Sequence, residues 1–214
     1  ELDTTASEYI ENIVAGGIRM QALIDGILDF SRVSHRGQSL KVVAVEPLVQ
    51  TILSSLRTTL IENNATVTTA NLPVITADYN QISQLFQNLI SNAIKFRTPE
   101  APVIYISAQA SPAPHRPNQW LFSVKDNGIG IPDSQQKRIF SLFQRLHTRQ
   151  ELEGYGIGLA ICKKIIERHN GRIWVESQPA EGATFYFTLD AQPSADAETD
   201  IEINIETNIE TKES

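Results

Sequence analysis

Apolar positions recur along the chain with two periods, and the switches between them divide it into helices and strands. Ile10, Ile13, Val14, Met20, Leu23, Ile24, Ile27, Leu28 and Phe30 fall at three- and four-residue steps, which predicts one long helix over residues 7–35. Ile13, Met20 and Ile27 stand at heptad spacing within it. A hinge around Gly37 follows, at residues 34–38. Residues 40–45 read as a strand. Residues 46–63 read as an amphipathic helix, with Pro47 in its first turn and Leu48, Ile52, Leu56 and Leu60 on one stripe. Strands are predicted at 66–69 and 74–77, separated by a turn at 71–73. A second helix, 79–96, has Asp78 as its cap and Ile82, Leu85, Phe86, Leu89, Ile90, Ala93 and Phe96 on its inner face. Strands at 103–109 and 120–125 flank a proline-rich loop. A helix over 156–170 carries Leu159, Ile161, Cys162, Ile165 and Ile166 on one face. Alternating strands at 172–177 and 184–189 close the pattern around a turn at Gly182.

The long first helix has no core-forming sequence before it. Its apolar face therefore packs either on the downstream domain as a core helix or on another chain as a bundle arm, and the second arrangement is the one we expect.

Composition narrows the classes. The formal net charge is -7, but residues 190–214 hold eight acidic residues and one lysine. The other 189 residues are balanced, so the body is not a basic nucleic-acid surface. The last stretch repeats Asn-Ile-Glu-Thr at 204–207 and 208–211 and reads as an acidic, disordered tail. No apolar run of about 18 residues is present, so no membrane contact is expected from this sequence. The lone Cys162 falls on an apolar helix face, reads as core filler and fits a reducing compartment.

The chemistry is concentrated in polar and glycine-rich interruptions. Gly154, Gly156 and Gly158 alternate immediately before a helix, a junction that bares backbone N–H groups at the positive end of a helix dipole and suits a phosphate. It is also a common tight turn. It is not a Walker loop, and Leu159 and Ile161 stand where a dinucleotide fingerprint needs glycine or alanine. Asn88, Asn92 and Lys95 share one stripe of the 79–96 helix. That stripe is either a solvated face or a ligand-facing edge that offers an amide oxygen and a cation. Asp126 ends a strand and is followed by Gly128 and Gly130, which either form a simple turn or let a flat ligand approach the backbone.

In this order the pieces resemble the sensor histidine kinases. Residues 84–96, 126–130, 139–143 and 154–159 match the N, G1, F and G2 boxes of their ATP-binding domain, and residues 182–187 match the terminal strand motif. The resemblance covers about residues 7–189, and the Arg145-Leu146-His147 run looks closest to phytochrome-type kinases. It implies an α+β fold: a two-layer sandwich in which helices cover one face of a mixed sheet (the GHKL, or Bergerat, fold), preceded by a bundle helix. The implied domains are a partial dimerisation and phosphotransfer helix at 1–36, an ATP-binding domain at 37–190 and a tail at 191–214. The implied cofactors are ATP and magnesium. The implied partners are a second copy, through the first helix, and the receiver domain of a response regulator, in the cytoplasm.

Roles follow residue by residue from the resemblance. Asp126 accepts a hydrogen bond from the adenine amino group, and Thr184 supports that contact through water. Asn92 holds magnesium, which its amide oxygen suits. Asn88 and Lys95 lie along the phosphates. Arg145 reaches the terminal phosphate. Gly128 and Gly130 shape the base site, while Gly154, Gly156, Gly158 and Leu159 close over the triphosphate. Asn88 stands where ATPases of this superfamily place a water-activating glutamate. Asparagine cannot serve as that base, so transfer to a protein histidine is favoured over hydrolysis.

Two departures stand out. The family's acceptor histidine precedes this sequence's first helix, on a partner helix followed by a proline motif; no histidine lies before residue 35, and none of His35, His115, His147 or His169 fits that context, so the sequence reads as a fragment lacking it. Tyr155 occupies a glycine-loop position that is usually small. Its side chain either points outward or hinders closure and weakens ATP binding. Two other readings stand beside the kinase: a degenerate ATP-binding or dimerisation module, and a serine kinase or ATPase of the same fold.

Overall fold

The computed structural model describes residues 4–35, 40–111, 118–144 and 155–191. The proline-rich loop, most of the expected hinge, the polar segment with Arg145 and Gly154, and the acidic tail lie outside the described residues. The elements in order are α1 (Thr4–His35), β1 (Lys41–Ala44), α2 (Val45–Ser55), α3 (Arg57–Glu62), β2 (Thr66–Ala70), β3 (Val74–Ala77), α4 (Tyr79–Lys95), β4 (Val103–Ala110), β5 (Gln119–Asp126), α5 (Asp133–Gln136), α6 (Gly158–Arg168), β6 (Ile173–Ser177) and β7 (Ala183–Asp190).

A five-stranded sheet runs in the order β2-β4-β5-β7-β6. The β2–β4 pair is parallel and the others are antiparallel, so the sheet is mixed, as expected. One face is apolar and buried: Ile104, Ile106, Phe122, Val124, Phe185 and Phe187 point into the helical layer. There Phe86 of α4 meets Phe122 and Phe187 edge-on at centroid distances of 6.2 and 5.6 Å, while those two rings stack at 5.0 Å. Such geometry matches the ring quadrupoles and fixes α4 against the sheet centre. The other face is open; Trp174 stacks on Tyr186 there at 5.5 Å.

The turn at 71–73 does not fold β2 back on β3. It carries the chain out of the main sheet into a second, two-stranded sheet, β1 with β3. The single helix expected over 46–63 is two helices, interrupted at Leu56 (φ -91°, ψ 6°). The hydroxyls of Thr51, Ser54 and Ser55 donate to the carbonyls of Pro47, Gln50 and Ile52, competing with the helix ladder just before the break.

A buried polar joint sets the start of α4. Asp78, 2% exposed, accepts the N–H groups of Asn80 and Gln81 and pairs with Arg168 at 3.2 Å. Its own N–H donates to Nε2 of His169 at 3.0 Å. His169 therefore carries its proton on Nδ1, which donates to Ile165 O at 2.8 Å. Burial pushes the His169 pKa below its ordinary value.

Helix α1 divides its faces. Val33 is buried, Leu23 and Phe30 pack on the core, and Gln81 Nε2 donates to Val33 O at 3.3 Å. Ile10, Ile13, Val14, Ile18, Met20, Ile24 and Ile27 remain exposed, including all three heptad positions. The domain thus covers one edge of α1 and leaves the broader apolar face open.

Candidate functional site

Three elements converge on a cavity of about 340 Å³. Helix α4 contributes Asn88, Asn92 and Lys95, the stripe set by spacings of four and three, together with Gln84 one turn earlier. Strand β5 contributes Asp126. The junction into α6 contributes Gly156, Gly158 and Leu159. Gly130, Ile129 and Ile131 form a further wall with Ile139 and Phe185. Polar groups therefore sit at selected points of a mainly apolar cleft, the arrangement of a small-molecule site.

Asp126 is held by backbone. Its Oδ1 accepts the N–H of Gly128 at 2.8 Å and of Ala183 at 3.1 Å. Among the described residues, Oδ2 receives no hydrogen bond and is left for an external donor. Burial pushes the carboxyl pKa upward, opposed by those two N–H donors. The turn after Asp126 sits on the end of α4: Ile129 N–H donates to Phe96 O at 2.9 Å. A Cβ at Gly128 would lie 2.4 Å from the same oxygen, so only glycine allows this approach. The acid and the asparagine helix are thereby locked to each other.

Asn88 Nδ2 donates to Gly158 O at 3.4 Å, and its side chain also contacts the Cys162 thiol, whose pKa burial pushes up to about 12. The cysteine is core, as its helix face implied. Helix α6 has no side-chain cap at its start, where Gly158 and Leu159 line the cavity. They sit at the positive end of the helix dipole. Lys95 Nζ lies 4.8 Å from the Phe96 ring centroid at the same edge.

Asn88, Asn92, Lys95, Asp126, Gly130, Gly156, Gly158 and Leu159 come together on the cavity, and Gly128 seats the turn behind it. Thr184 does not. Ala183 and Phe185 line the cavity, while Thr184, between them, faces the opposite side of β7 across from Lys125 and Glu176. Successive side chains of a strand point to opposite faces, which corrects the water-supporting role expected of Thr184. Arg145 and Gly154 lie outside the described residues. Tyr155 does not point outward; it packs against the core and lines the cavity.

Sequence reasoning missed several contributors. Asn127 anchors the turn, accepting Val103 N–H at 2.8 Å and donating to Ala101 O at 3.0 Å. Ser177 accepts Ile131 N–H at 2.8 Å and donates to Gly182 O at 2.6 Å. Ala22, Gly26 and Asp29 of α1 also line the cavity, which no local pattern could have signalled.

A magnesium ion fits this donor set only in a particular way. Among the described residues no group of three or more His, Cys, Asp or Glu side chains could hold a metal. The cavity lining offers the carboxylates of Asp29 and Asp126 and several amide oxygens, Asn92 among them, and an amide oxygen suits a hard cation whose remaining ligands are phosphate oxygens and water.

Comparison with known proteins accords with this geometry. Residues 77–193 match the model of the family described as histidine kinase-, DNA gyrase B- and HSP90-like ATPases. Cyanobacterial phytochrome A of Nostoc sp. (strain PCC 7120) is 51% identical over 189 residues, covering 88% of this chain and 24% of the relative. The chain spans about a quarter of the length of this relative and of two further cyanobacterial phytochromes that it matches. Among solved structures, full-length ShkA in complex with AMPPNP superposes with a TM-score of 0.69 at 26% identity, covering 91% of this chain and 41% of that one. Histidine kinase ThkA in complex with the response regulator protein TrrA superposes at 0.67 with 26% identity, covering 91% of this chain and 54% of that one.

Proposed function

Because the chain belongs to the family of histidine kinase-, DNA gyrase B- and HSP90-like ATPases, we propose that it is the ATP-binding catalytic portion of a two-component sensor histidine kinase. It transfers the γ-phosphoryl group of ATP to a protein histidine other than the four in this sequence, for relay to an aspartate of a response regulator. The observation that carries this reading is the convergence of Asp126 with the Asn88–Asn92–Lys95 stripe on one cavity, at the uncapped start of α6.

The residues divide the work. Asp126 Oδ2 accepts from the adenine amino group; guanine presents a carbonyl there and is repelled. The first-turn N–H groups of α6, with Gly156, Gly158 and Leu159, receive the phosphates. Lys95 lies along them as a cation, and Asn88 fixes the α4–α6 spacing through Gly158. Asn92 would hold magnesium, which supplies charge neutralisation between phosphate oxygens. Arg145 is assigned to the terminal phosphate from the sequence. Asparagine at position 88 cannot activate water as a carboxylate there would, which favours transfer of the phosphoryl group to a protein nucleophile. His169 is excluded as that nucleophile because both of its ring nitrogens are engaged in the α4–α6 joint.

The same reading assigns residues 1–36 to a dimerisation helix, 37–190 to the ATP-binding domain and the remainder to a tail. The exposed Ile13, Met20 and Ile27 supply the surface for a second copy. The response regulator partner is supported by the ThkA complex. No helix among the described residues is long and apolar enough to cross a membrane. A buried free cysteine and ATP chemistry fit the cytoplasm. Incubating the chain with labelled ATP, magnesium and a separate acceptor-helix protein tests the proposal. An acid-labile, alkali-stable phosphoprotein is expected; ATP binding without any transfer would reduce the chain to a nucleotide-binding module.

A further inference from the structure

We propose that the Tyr155 ring is a side-chain gate of the nucleotide cavity: it fills space the nucleotide needs and must rotate away before phosphates reach Gly158 and Asn88. This rests on the nucleotide reading above and adds to it a residue that sets affinity and entry rate.

The ring lies inward. Tyr155 is half-buried, packed against the apolar core, and forms part of the cavity wall. Its backbone is rooted at the phosphate end, three residues before Gly158, where an added Cβ would lie 3.5 Å from Asn88 Oδ1. A ligand that reaches from Asp126 to Asn88 and Lys95 has to share this space. The cavity, at about 340 Å³, is at the small end of the roughly 300–1,000 Å³ range of ligand pockets. A tyrosine ring is among the largest bodies that could be removed from it.

The backbone that follows the ring is held at two successive residues. Gly156, at φ +70°, donates nothing to flexibility here: its carbonyl accepts Phe143 N–H at 2.9 Å, and a Cβ on it would lie 2.6 Å from Gln144 O. One residue further on, Ile157 is 5% exposed and meets Gly26 of α1, where an added Cβ would be 2.6 Å from Ile157 Cδ1. Backbone movement at 155 would break one or both contacts. Rotation about the Tyr155 side-chain torsions is the cheaper way out, and it exposes apolar ring surface that is covered in the free cavity. Nucleotide binding therefore works against that exposure, and removing the ring removes the opposition without touching Asp126, Asn92 or Lys95.

The test compares the full chain with Tyr155→Ala, Tyr155→Thr and Tyr155→Phe, using calorimetry with magnesium-ATP and stopped-flow association of a fluorescent N-methylanthraniloyl-ADP. Loss of the ring in Tyr155→Ala and Tyr155→Thr is expected to tighten binding about three- to tenfold and to raise the association rate. Tyr155→Phe, which keeps the ring, is expected to gain neither. Thermal melts select the folded variants, and Tyr155→Thr serves if the alanine chain melts below the assay temperature. Weaker binding by the ring-less variants would mean that the ring holds the ligand, and equal binding would mean that it stands clear; either result overturns the gate while leaving the nucleotide reading intact. Absence of nucleotide binding in the wild-type and ring-less chains alike would overturn both.

Discussion

Asp126→Asn separates the structural role of this side chain from its proposed recognition role. In the native site Oδ1 accepts two backbone N–H groups, from Gly128 and Ala183, and an asparagine Oδ1 can accept both. What changes is the other atom: an acceptor oxygen facing the cavity becomes an NH2 donor. An adenine amino group then meets a donor instead of a carboxylate. A charge-assisted hydrogen bond of this kind contributes about 1.5–3 kcal/mol, so the variant should bind ATP roughly 10- to 150-fold more weakly. GTP offers a carbonyl at the same place, and its binding should be unchanged or improved, collapsing the preference between the two. The melting temperature near neutral pH should hold or rise, because burial already opposes the charged carboxylate that the substitution removes. Calorimetric titrations with each nucleotide and a thermal melt measure all three quantities. An ATP-to-GTP preference that survives intact would refute the assignment, whatever happens to the absolute affinities.

The pH dependence of this group has two signs. The folded-state pKa of Asp126 is raised above 3.8, so the protonated form becomes common at a higher pH than in the unfolded chain. As pH falls through the raised value, the folded state binds the extra proton and this group's contribution to stability increases. The same protonation removes the negative acceptor, so ATP affinity should decline on acidification over that window. Affinity and this stability contribution thus move in opposite directions, and Asp126→Asn should abolish both trends.

Three further outcomes follow. His169 is held neutral, with its pKa lowered from 6.5, so protons bind the unfolded chain first and stability should fall as pH drops below about 6.5; denaturant titrations across that range check it, and His169→Gln should flatten the slope while costing about 1 kcal/mol for the lost bond to Asp78. Gly128→Ala places a methyl group 2.4 Å from the Phe96 carbonyl, a backbone atom that cannot move without disturbing the end of α4. A loss of about 1–3 kcal/mol in stability, with weakened ATP binding, is expected from melts and calorimetry. Asn92→Ala should remove the magnesium-dependent part of nucleotide affinity while leaving the affinity measured with chelator; equal losses under both conditions would contradict a metal role.

Much of the fold was legible because its elements announce themselves locally. The α4 pattern combines a capping aspartate with an unbroken apolar face, and its predicted span agrees with the observed helix to within one residue at its end. What escaped the sequence depends on competition or on distant partners. The interruption at Leu56 arises from hydroxyls competing with the helix ladder, which a stripe of leucines conceals. The transfer of β3 to a separate sheet follows from its pairing with β1, about thirty residues earlier. The docking of α1 on the cavity wall rests on Gly26 and Val33 meeting Ile157 and Gln81, contacts between segments with no shared periodicity.

The candidate site divides in the same way. Positions on α4 were readable because helical geometry alone puts residues 88, 92 and 95 on one edge. Asp126 and Thr184 were placed by motif order, and motif order does not carry the phase of a strand. Asp126 ends β5, and the cross-strand pair one step earlier is Lys125 with Thr184. Directly opposed residues share a sheet face and the next residue along takes the other, so whichever side Asp126 faces, Thr184 must face away. Ala183 meets Asp126 through its backbone N–H instead. In this chain Asp126 is therefore braced by the main chain of β7 and not by the Thr184 side chain, and a substitution at Thr184 should leave the ATP-to-GTP preference unchanged in paired calorimetric titrations.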